Sequence, residues 1–556
     1  MTGLSHPFRC ALASAAIFFT ALGAHALDVE SATIADIDAA FAKGTLTSEK
    51  LTEIYLARIA AYDKQGPALN AVMTPNPNAL AEAKALDAER RAGKVRGPLH
   101  GIPIVLKDNY NTFDLPTTAG SQLLAGSVPP DDAFVVAKLR KAGVVILAKV
   151  NMSEFAAGGG SVGGATDPAV IKAAVIPNGF SSMGLQTLNP HDLTRGPSGS
   201  SGGTGVSIAA AFAQFGLGTD TASSVRGPSS ANGIVGLKTT MGLVSRSGVV
   251  PLALSFDTCG PMGRSVYDVA VALNTLAGVD PTDPSTLAGA GHHVDDYTQF
   301  LKVGSLKGVR IGIARDFTGR DAEVDRIVDE SIVKLKELGA IIVENVRFPE
   351  YVLQARQAIF NTVRNTEFRA EIADYLKTLK PGYPRNLDEL AEKANDPASG
   401  YRSAGKAFGL KYSVQHAMEI DDPVYVAAKT QGLALVKAGT EAVYKKYNLD
   451  VILYPTSPTP ATLINPEPVT PTPGARNARA DTGSASALNI ANMSGFPDLV
   501  IPAGMTNNGL PVTISLLGPA FSEPKLLAYG YDFEQATHAR AVPKYTPVLP
   551  GDTIGN

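Results

Sequence analysis

The sequence predicts an α/β protein: a large mixed, mostly parallel β-sheet covered by helices on both faces. Two observations carry this expectation. Short, nearly continuous apolar runs recur between residues 102 and 517, the pattern of strands buried on both sides. Between many of them lie segments with apolar residues at helical spacing, so strand and helix alternate along the chain. The chain has 556 residues, 45% hydrophobic and 18% charged, which allows a substantial core and excludes intrinsic disorder.

Leu51, Ile54, Tyr55, Ile59 and Tyr62 keep a helical period, which predicts an amphipathic helix over 48–62. A charged segment at 80–94 reads as a second helix, ended by Gly97-Pro98. The run 102–107, the helical spacing of 131–142 and the run 144–149 then give strand, helix, strand. An alanine-rich stretch at 208–215 reads as helix. Runs at 309–314 and 341–346 flank a helix carrying Val324, Ile327, Val328, Val333, Leu335 and Leu338, with Gly339 as its expected C-cap. The last strands are expected at 451–454, 499–502 and 512–517. Seven prolines from Pro455 to Pro473 mark a stiff surface loop, and no internal repeat is visible.

Lysine plus arginine (49) nearly balance aspartate plus glutamate (52), for a net charge of -3. No electrostatic footprint for nucleic acid or an anionic membrane follows from that balance. Residues 1–26 read as an export signal: Arg9 is the only basic side chain, 11–21 is apolar, and Ala24-His25-Ala26 fits a small-x-small cleavage site. The apolar run is too short to span a bilayer, and no other segment is long and apolar enough to do so. Cys10 would leave with the signal, so the mature chain holds only Cys259 and no internal disulfide. The expected destination is the periplasm or the medium.

Small residues concentrate between Arg195 and Lys238. Glycine there lets backbone N–H groups approach a ligand closely, and three kinds of chemistry could use that. A phosphate cradle would need Gly-Lys-Ser/Thr after a four-residue gap, and Gly233 to Thr239 has neither the gap nor the order. A nucleophile elbow would centre on Ser201 in Gly199-Ser200-Ser201-Gly202-Gly203, but breakers precede it rather than a strand. The third is two serines and a lysine acting without histidine. Amide cleavage needs a deprotonated serine, donors for the oxyanion and a proton for the leaving amine. Lysine can be the base only where desolvation lowers its pKa. Lys107, ending the apolar run Gly101-Ile102-Pro103-Ile104-Val105-Leu106, is either such a lysine or a strand-end side chain turned to solvent.

Further motifs fall in a fixed order: Ala119-Gly120-Ser121, Lys149-Val150-Asn151-Met152-Ser153-Glu154-Phe155-Ala156, Gly218-Thr219-Asp220-Thr221-Ala222-Ser223-Ser224-Val225-Arg226 and Gly233-Ile234-Val235-Gly236-Leu237-Lys238. Asn492-Met493-Ser494-Gly495-Phe496-Pro497 and Gly509-Leu510-Pro511-Val512, which are similar to the closing strands of the family named next, complete the series. With the Lys107 strand and the Ser200 motif, they resemble the amidase signature family of serine hydrolases over roughly 33–537. The resemblance implies that family's α/β fold as one domain over 27–556. Its signature core would span about 60–275, a helical substrate-shaping region about 281–446, and closing strands about 447–540. It implies Lys107 as base, Ser200 as bridging serine on a cis peptide, and Ser224, 24 residues later, as acylated nucleophile. Backbone N–H groups of Thr221, Ala222, Ser223 and Ser224 would form the oxyanion hole. Asp220 and Arg226 would fix the loop as an ion pair, with Ser201 and Thr219 as hydrogen-bonding supports.

Two features depart from the family pattern. Ala222-Ser223 stands where two glycines are usual, so any positive φ there would be strained. The stretch 161–179 is longer than usual and would be either a pocket wall or a neutral insertion. His292 and His293 are adjacent and point apart, and there is no H-E-x-x-H or paired-cysteine motif, so neither metal nor cofactor is expected. The expected function is an exported amidase that cleaves carboxamide bonds of a small-molecule or peptide amide through a Ser224 acyl-enzyme. Low surface charge leans toward neutral or amphipathic amides, with esters as further substrates. The oligomeric state is open. The rival readings are an exported solute-binding protein without turnover, an esterase with a Ser201 elbow, and one component of an amidotransferase, against which the export signal argues.

Overall fold

A computed structural model describes residues 27–157, 167, 169, 176–464 and 487–554. The expected export signal, most of the stretch 161–179 and the second half of the proline-rich segment lie outside these residues.

Eleven strands form one sheet. In chain order they are β1 (Val72–Pro75), β2 (Pro103–Lys107), β3 (Val145–Val150), β4 (Phe215–Asp220), β5 (Val235–Lys238) and β6 (Thr258–Gly263). There follow β7 (Arg310–Ala314), β8 (Ile341–Val346), β9 (Val451–Pro455), β10 (Asp498–Met505) and β11 (Pro511–Leu517). Their order across the sheet is β8-β7-β9-β11-β10-β5-β6-β4-β2-β3-β1. Every residue of β2, β3, β4, β5 and β6 is buried, as expected of strands covered on both faces.

The sheet is mixed, but the expected predominance of parallel pairs needs correcting. Four of its ten pairings are parallel, near the two edges. Six are antiparallel. The reason is local. β6 enters between β4 and β5 and runs against both, while β10 and β11 are joined by the short turn 506–510 and pair as a hairpin. Counting strand–helix–strand alternations cannot detect either event.

Helix ends follow side-chain chemistry. Ser48–Tyr62 lies where its period places it, capped by Thr47, whose side chain accepts from the Lys50 N–H. The helix expected from 131 starts instead at Phe134, because Asp132 accepts from the Phe113 N–H and pairs with Arg140. Gly339, at φ 91°, follows Ala322–Glu337 and supplies its left-handed turn. The alanine-rich stretch is the clearest misreading. Its helix is Gly202–Ala209, Ala211 reverses the chain at φ 50°, and β4 begins at Phe215. The glycines set that start: a Cβ on Gly203 would meet the Asn151 carbonyl oxygen at 2.4 Å. Similarly, 492–494 closes the helix Ala487–Ser494 rather than opening a strand; Gly495 then turns the chain into β10.

The main core packs both faces of the sheet. Two further clusters fasten the helices of 350–447 to it. One gathers Phe256, Phe360, Tyr425, Val436 and Tyr454 around β9. The other packs Phe368, Ile372, Leu390 and Leu410 on Phe155 and Met152 at the end of β3. The helical layer therefore closes over the ends of the strands that carry Lys107 and Asp220.

Candidate active site

The C-terminal ends of β2 and β4 lie side by side in a parallel pairing, Leu106 opposite Leu217. That register brings Lys107 beside Thr219. The loop 195–201, which leads into the helix Gly202–Ala209, crosses above them, with the Gly199–Ser200 peptide in the cis form. The Ser200 carbonyl accepts from the Ser153 N–H at 3.0 Å, which ties the loop to the end of β3.

Lys107 is completely buried. Its Nζ lies 2.8 Å from Ser200 Oγ, 2.6 Å from Thr219 Oγ1 and 3.3 Å from the Thr219 carbonyl oxygen. No carboxylate pairs with it among the described residues. Burial pushes the amine down from its ordinary 10.5 to about 7, and the more distant Asp220 and Asp257 recover only part of the drop. The reading of Lys107 as a solvent-facing strand end is thus excluded. Asn109, two residues on, donates to Thr219 Oγ1 at 3.1 Å and holds that hydroxyl toward the amine.

Ser201 is the neighbour of Ser200, but its hydroxyl is engaged with the backbone of Thr219, donating to the carbonyl and accepting from the N–H, both at 3.3 Å. The residues leading directly into it, 187–200, form no strand, so the nucleophile elbow fails. The phosphate-cradle lookalike dissolves too. Gly233 ends the helix Arg226–Asn232, and Lys238 closes β5, donating to the Phe496 and Thr239 carbonyls.

Ser224 is buried to 6% exposure and sits beside the Ser200 loop, its carbonyl accepting from the Ser201 N–H at 3.2 Å. Neither Ala222 nor Ser223 has a positive φ, so the pair stands in place of two glycines without backbone strain. Among the described residues, no backbone carbonyl takes up the N–H groups of Thr221, Ala222, Ser223 or Ser224. The Thr221 hydroxyl donates to Asp257 Oδ1, and Asp257 Oδ2 accepts from the Leu252 and Ala253 N–H groups, bracing the loop from below.

Asp220 and Arg226 form the expected ion pair within a larger cluster. Arg226 donates Nε to Asp220 Oδ2 and Nη2 to Oδ1, both at 3.0 Å, and Nη1 to Asp498 Oδ2 at 2.8 Å. Asn492 Nδ2 donates to Asp220 Oδ1, and Tyr454 donates to Asp498. Burial would raise Asp220, but the guanidinium and its hydrogen bonds hold it at about 2. Asp220 also accepts from the Val225 N–H at 3.0 Å, so the cluster shapes the turn that carries Ser224.

A cleft of about 340 Å³ opens beside this loop, lined by Ser198 and Ser223, by Phe317 and Arg356, and by Pro455 to Thr462. The described part of the proline-rich segment is therefore a cleft wall. Asn109, Asp257, Asn492, Asp498 and Arg356 are the residues that sequence reading did not single out. Asn492 lay in a quoted motif but was assigned to a strand, and Asn109 directly follows the Lys107-Asp108 pair. The buried histidines stand apart from the cleft: His191 bonds the Asn232 carbonyl through Nε2 and His100 the Leu86 carbonyl. Among the described residues no three metal-ligating side chains cluster.

The fold is an α/β one that holds a buried lysine–serine pair at its strand ends beside a cleft. Comparison with known proteins gives the family. The Amidase family model matches residues 50–527, and the chain belongs to that family of enzymes hydrolysing amides. It is 33% identical over 533 residues to a probable amidase of Arabidopsis thaliana, covering 93% of this chain and 92% of the relative. It is 35% identical over 531 residues to a glutamyl-tRNA(Gln) amidotransferase subunit of Thermoanaerobacter pseudethanolicus, covering 93% and 99%. Among solved structures it resembles the native peptide amidase of Stenotrophomonas maltophilia, with a TM-score of 0.81 and 35% identity over 93% of this chain and 99% of that one.

Proposed function

We propose that the protein hydrolyses carboxamides through a covalent acyl-enzyme on Ser224, with Lys107 as base and Ser200 as bridge. The observation that carries this reading is the buried Lys107 amine, near pKa 7 and 2.8 Å from Ser200 Oγ. A neutral amine has two N–H groups and one lone pair. The two N–H groups are used by Thr219 Oγ1 and the Thr219 carbonyl. The lone pair then faces Ser200 and can accept its hydroxyl proton.

In the proposed cycle Ser200 passes its proton to Lys107 and takes the proton of Ser224 as that oxygen attacks the carbonyl. Charge developing on the carbonyl oxygen is met by N–H groups of the 221–224 turn, the interaction that commonly dominates such rate enhancements. The proton returns along the same path to the leaving nitrogen, the C–N bond breaks, and ammonia or an amine departs. Water enters by the same route and releases the acid. Asp220 and Arg226 hold the turn rather than react. Export rests on the first 26 residues of the sequence, with their apolar run and small-x-small site.

The test is release of ammonia or amine from a panel of linear amides by the isolated chain, beside its Ser224→Ala variant. Turnover by the native chain alone, abolished by the substitution, is expected. Unchanged turnover in the variant would move the nucleophile elsewhere, and turnover only with added partner subunits would favour an amidotransferase role.

A further inference from the structure

Arg356 opens a π-helical turn in the helical layer and lines the cleft that also exposes Ser223. It has no carboxylate partner, and its guanidinium donates to no acceptor among the described residues; of the charged residues lining the same cleft, only Arg320 accompanies it. Behind it, Arg364 is buried to 4% exposure and, among the described residues, donates only to Asn365 Oδ1 and has no ion pair. Asp257, whose charge acts on Arg364, is already committed to Thr221, Leu252 and Ala253. Burial lowers both guanidinium groups from their ordinary value, and for Arg364 the neighbouring charge of Arg356 adds to the drop.

A buried arginine beside a second one, with no counter-ion among the described residues, is unfavourable, because a charge taken out of water needs a partner. Elsewhere among the described residues Arg58 pairs with Glu30 and Asp552, Arg226 with Asp220 and Asp498, and Arg246 with Asp283, while the buried Arg264 spends its donors on the Ala213 and Val29 carbonyls and the Gln214 amide oxygen. Arg356, at the cleft wall, has neither kind of acceptor among them. A ligand carboxylate would supply the missing charge, and the planar guanidinium matches its two oxygens.

We propose that Arg356 is a specificity residue that receives a carboxylate on the acyl part of the amide substrate. For a primary amide the departing group is ammonia, so a carboxylate can lie only on the acyl side. This inference rests on the amidase reading for its substrate and goes against the lean toward neutral amides that composition alone suggests.

The test compares N-acetylglutamic acid α-amide with N-acetylmethionine amide, which are similar in length but differ in charge. The native chain should favour the acidic amide in kcat/KM by at least tenfold. Arg356→Met should cut that preference at least tenfold, through KM rather than kcat, and Arg356→Lys should restore part of it. A preference ratio equal in the native and Arg356→Met chains would overturn the proposal. Calorimetric binding of both amides to Ser224→Ala, with and without Arg356→Met, separates the two readings because it needs no turnover. Loss of the acidic preference in binding upholds the subsite even if neither amide is cleaved. Equal binding of the two amides by Ser224→Ala overturns it even if both are.

Discussion

Lys107 Nζ and Ser200 Oγ stand 2.8 Å apart in a site from which the lysine is wholly withdrawn from solvent. Nothing in that arrangement pairs the amine with a carboxylate, so desolvation is left to set its pKa. If the two side chains act as one relay, their substitutions must not add. Lys107→Met and Ser200→Ala should each lower kcat/KM by about 10²–10⁴, the usual range for positioned proton transfer. The double variant should be about as slow as the worse single one. Steady-state rates of the three variants give the answer, and multiplicative losses would count against a shared path.

Thr219 Oγ1 accepts a hydrogen bond from Lys107 at 2.6 Å, an interaction that favours the charged amine. Thr219→Val should therefore lower the Lys107 pKa further. The acid limb of the rate profile should move to lower pH, while kcat falls because the amine is less firmly oriented. A limb displaced to higher pH would show that desolvation is not the controlling influence.

Arg226 neutralises two buried carboxylates, and its removal should be costly to stability rather than specific to catalysis. Arg226→Met should destabilise the fold by about 3–5 kcal/mol, the range seen when a buried pair loses one partner. Denaturant midpoints measure it. The sign of the pH dependence is also fixed. Asp220 is held at about 2 against an ordinary 3.8, so the stability it confers is complete above about 4 and is lost as pH falls toward 2. Arg226→Met should remove that contribution.

What the sequence revealed, and what it hid, follows from the range of the interactions involved. The strands 341–346 and 512–517 and the helix 48–62 carry strong local periodicity, and they stand within a residue of their expected bounds. Motif order picked out Lys107, at the end of β2, and Ser200 and Ser224, on adjoining loops. By contrast, the register of β6 between β4 and β5 depends on pairings distant in sequence. The start of the helix Gly202–Ala209 depends on Asn151, whose backbone leaves no room for a Cβ on Gly203. Asp498 and Asn492 reach Arg226 across more than 260 residues, and Arg356 is notable for the acceptor it lacks among the described residues. None of these has a local signature.

The most direct measurement is the rate at which a fluorophosphonate labels Ser224 as a function of pH, with the modified residue identified by mass spectrometry. In the native chain, labelling should fall to the acid side of about 7, where Lys107 gains its proton. In Lys107→Met it should be at least a hundredfold slower and should lack that ionisation. Labelling of Ser224 that keeps the same rate and the same pH profile without Lys107, or an adduct found on Ser201 or Ser223 instead, would contradict the account.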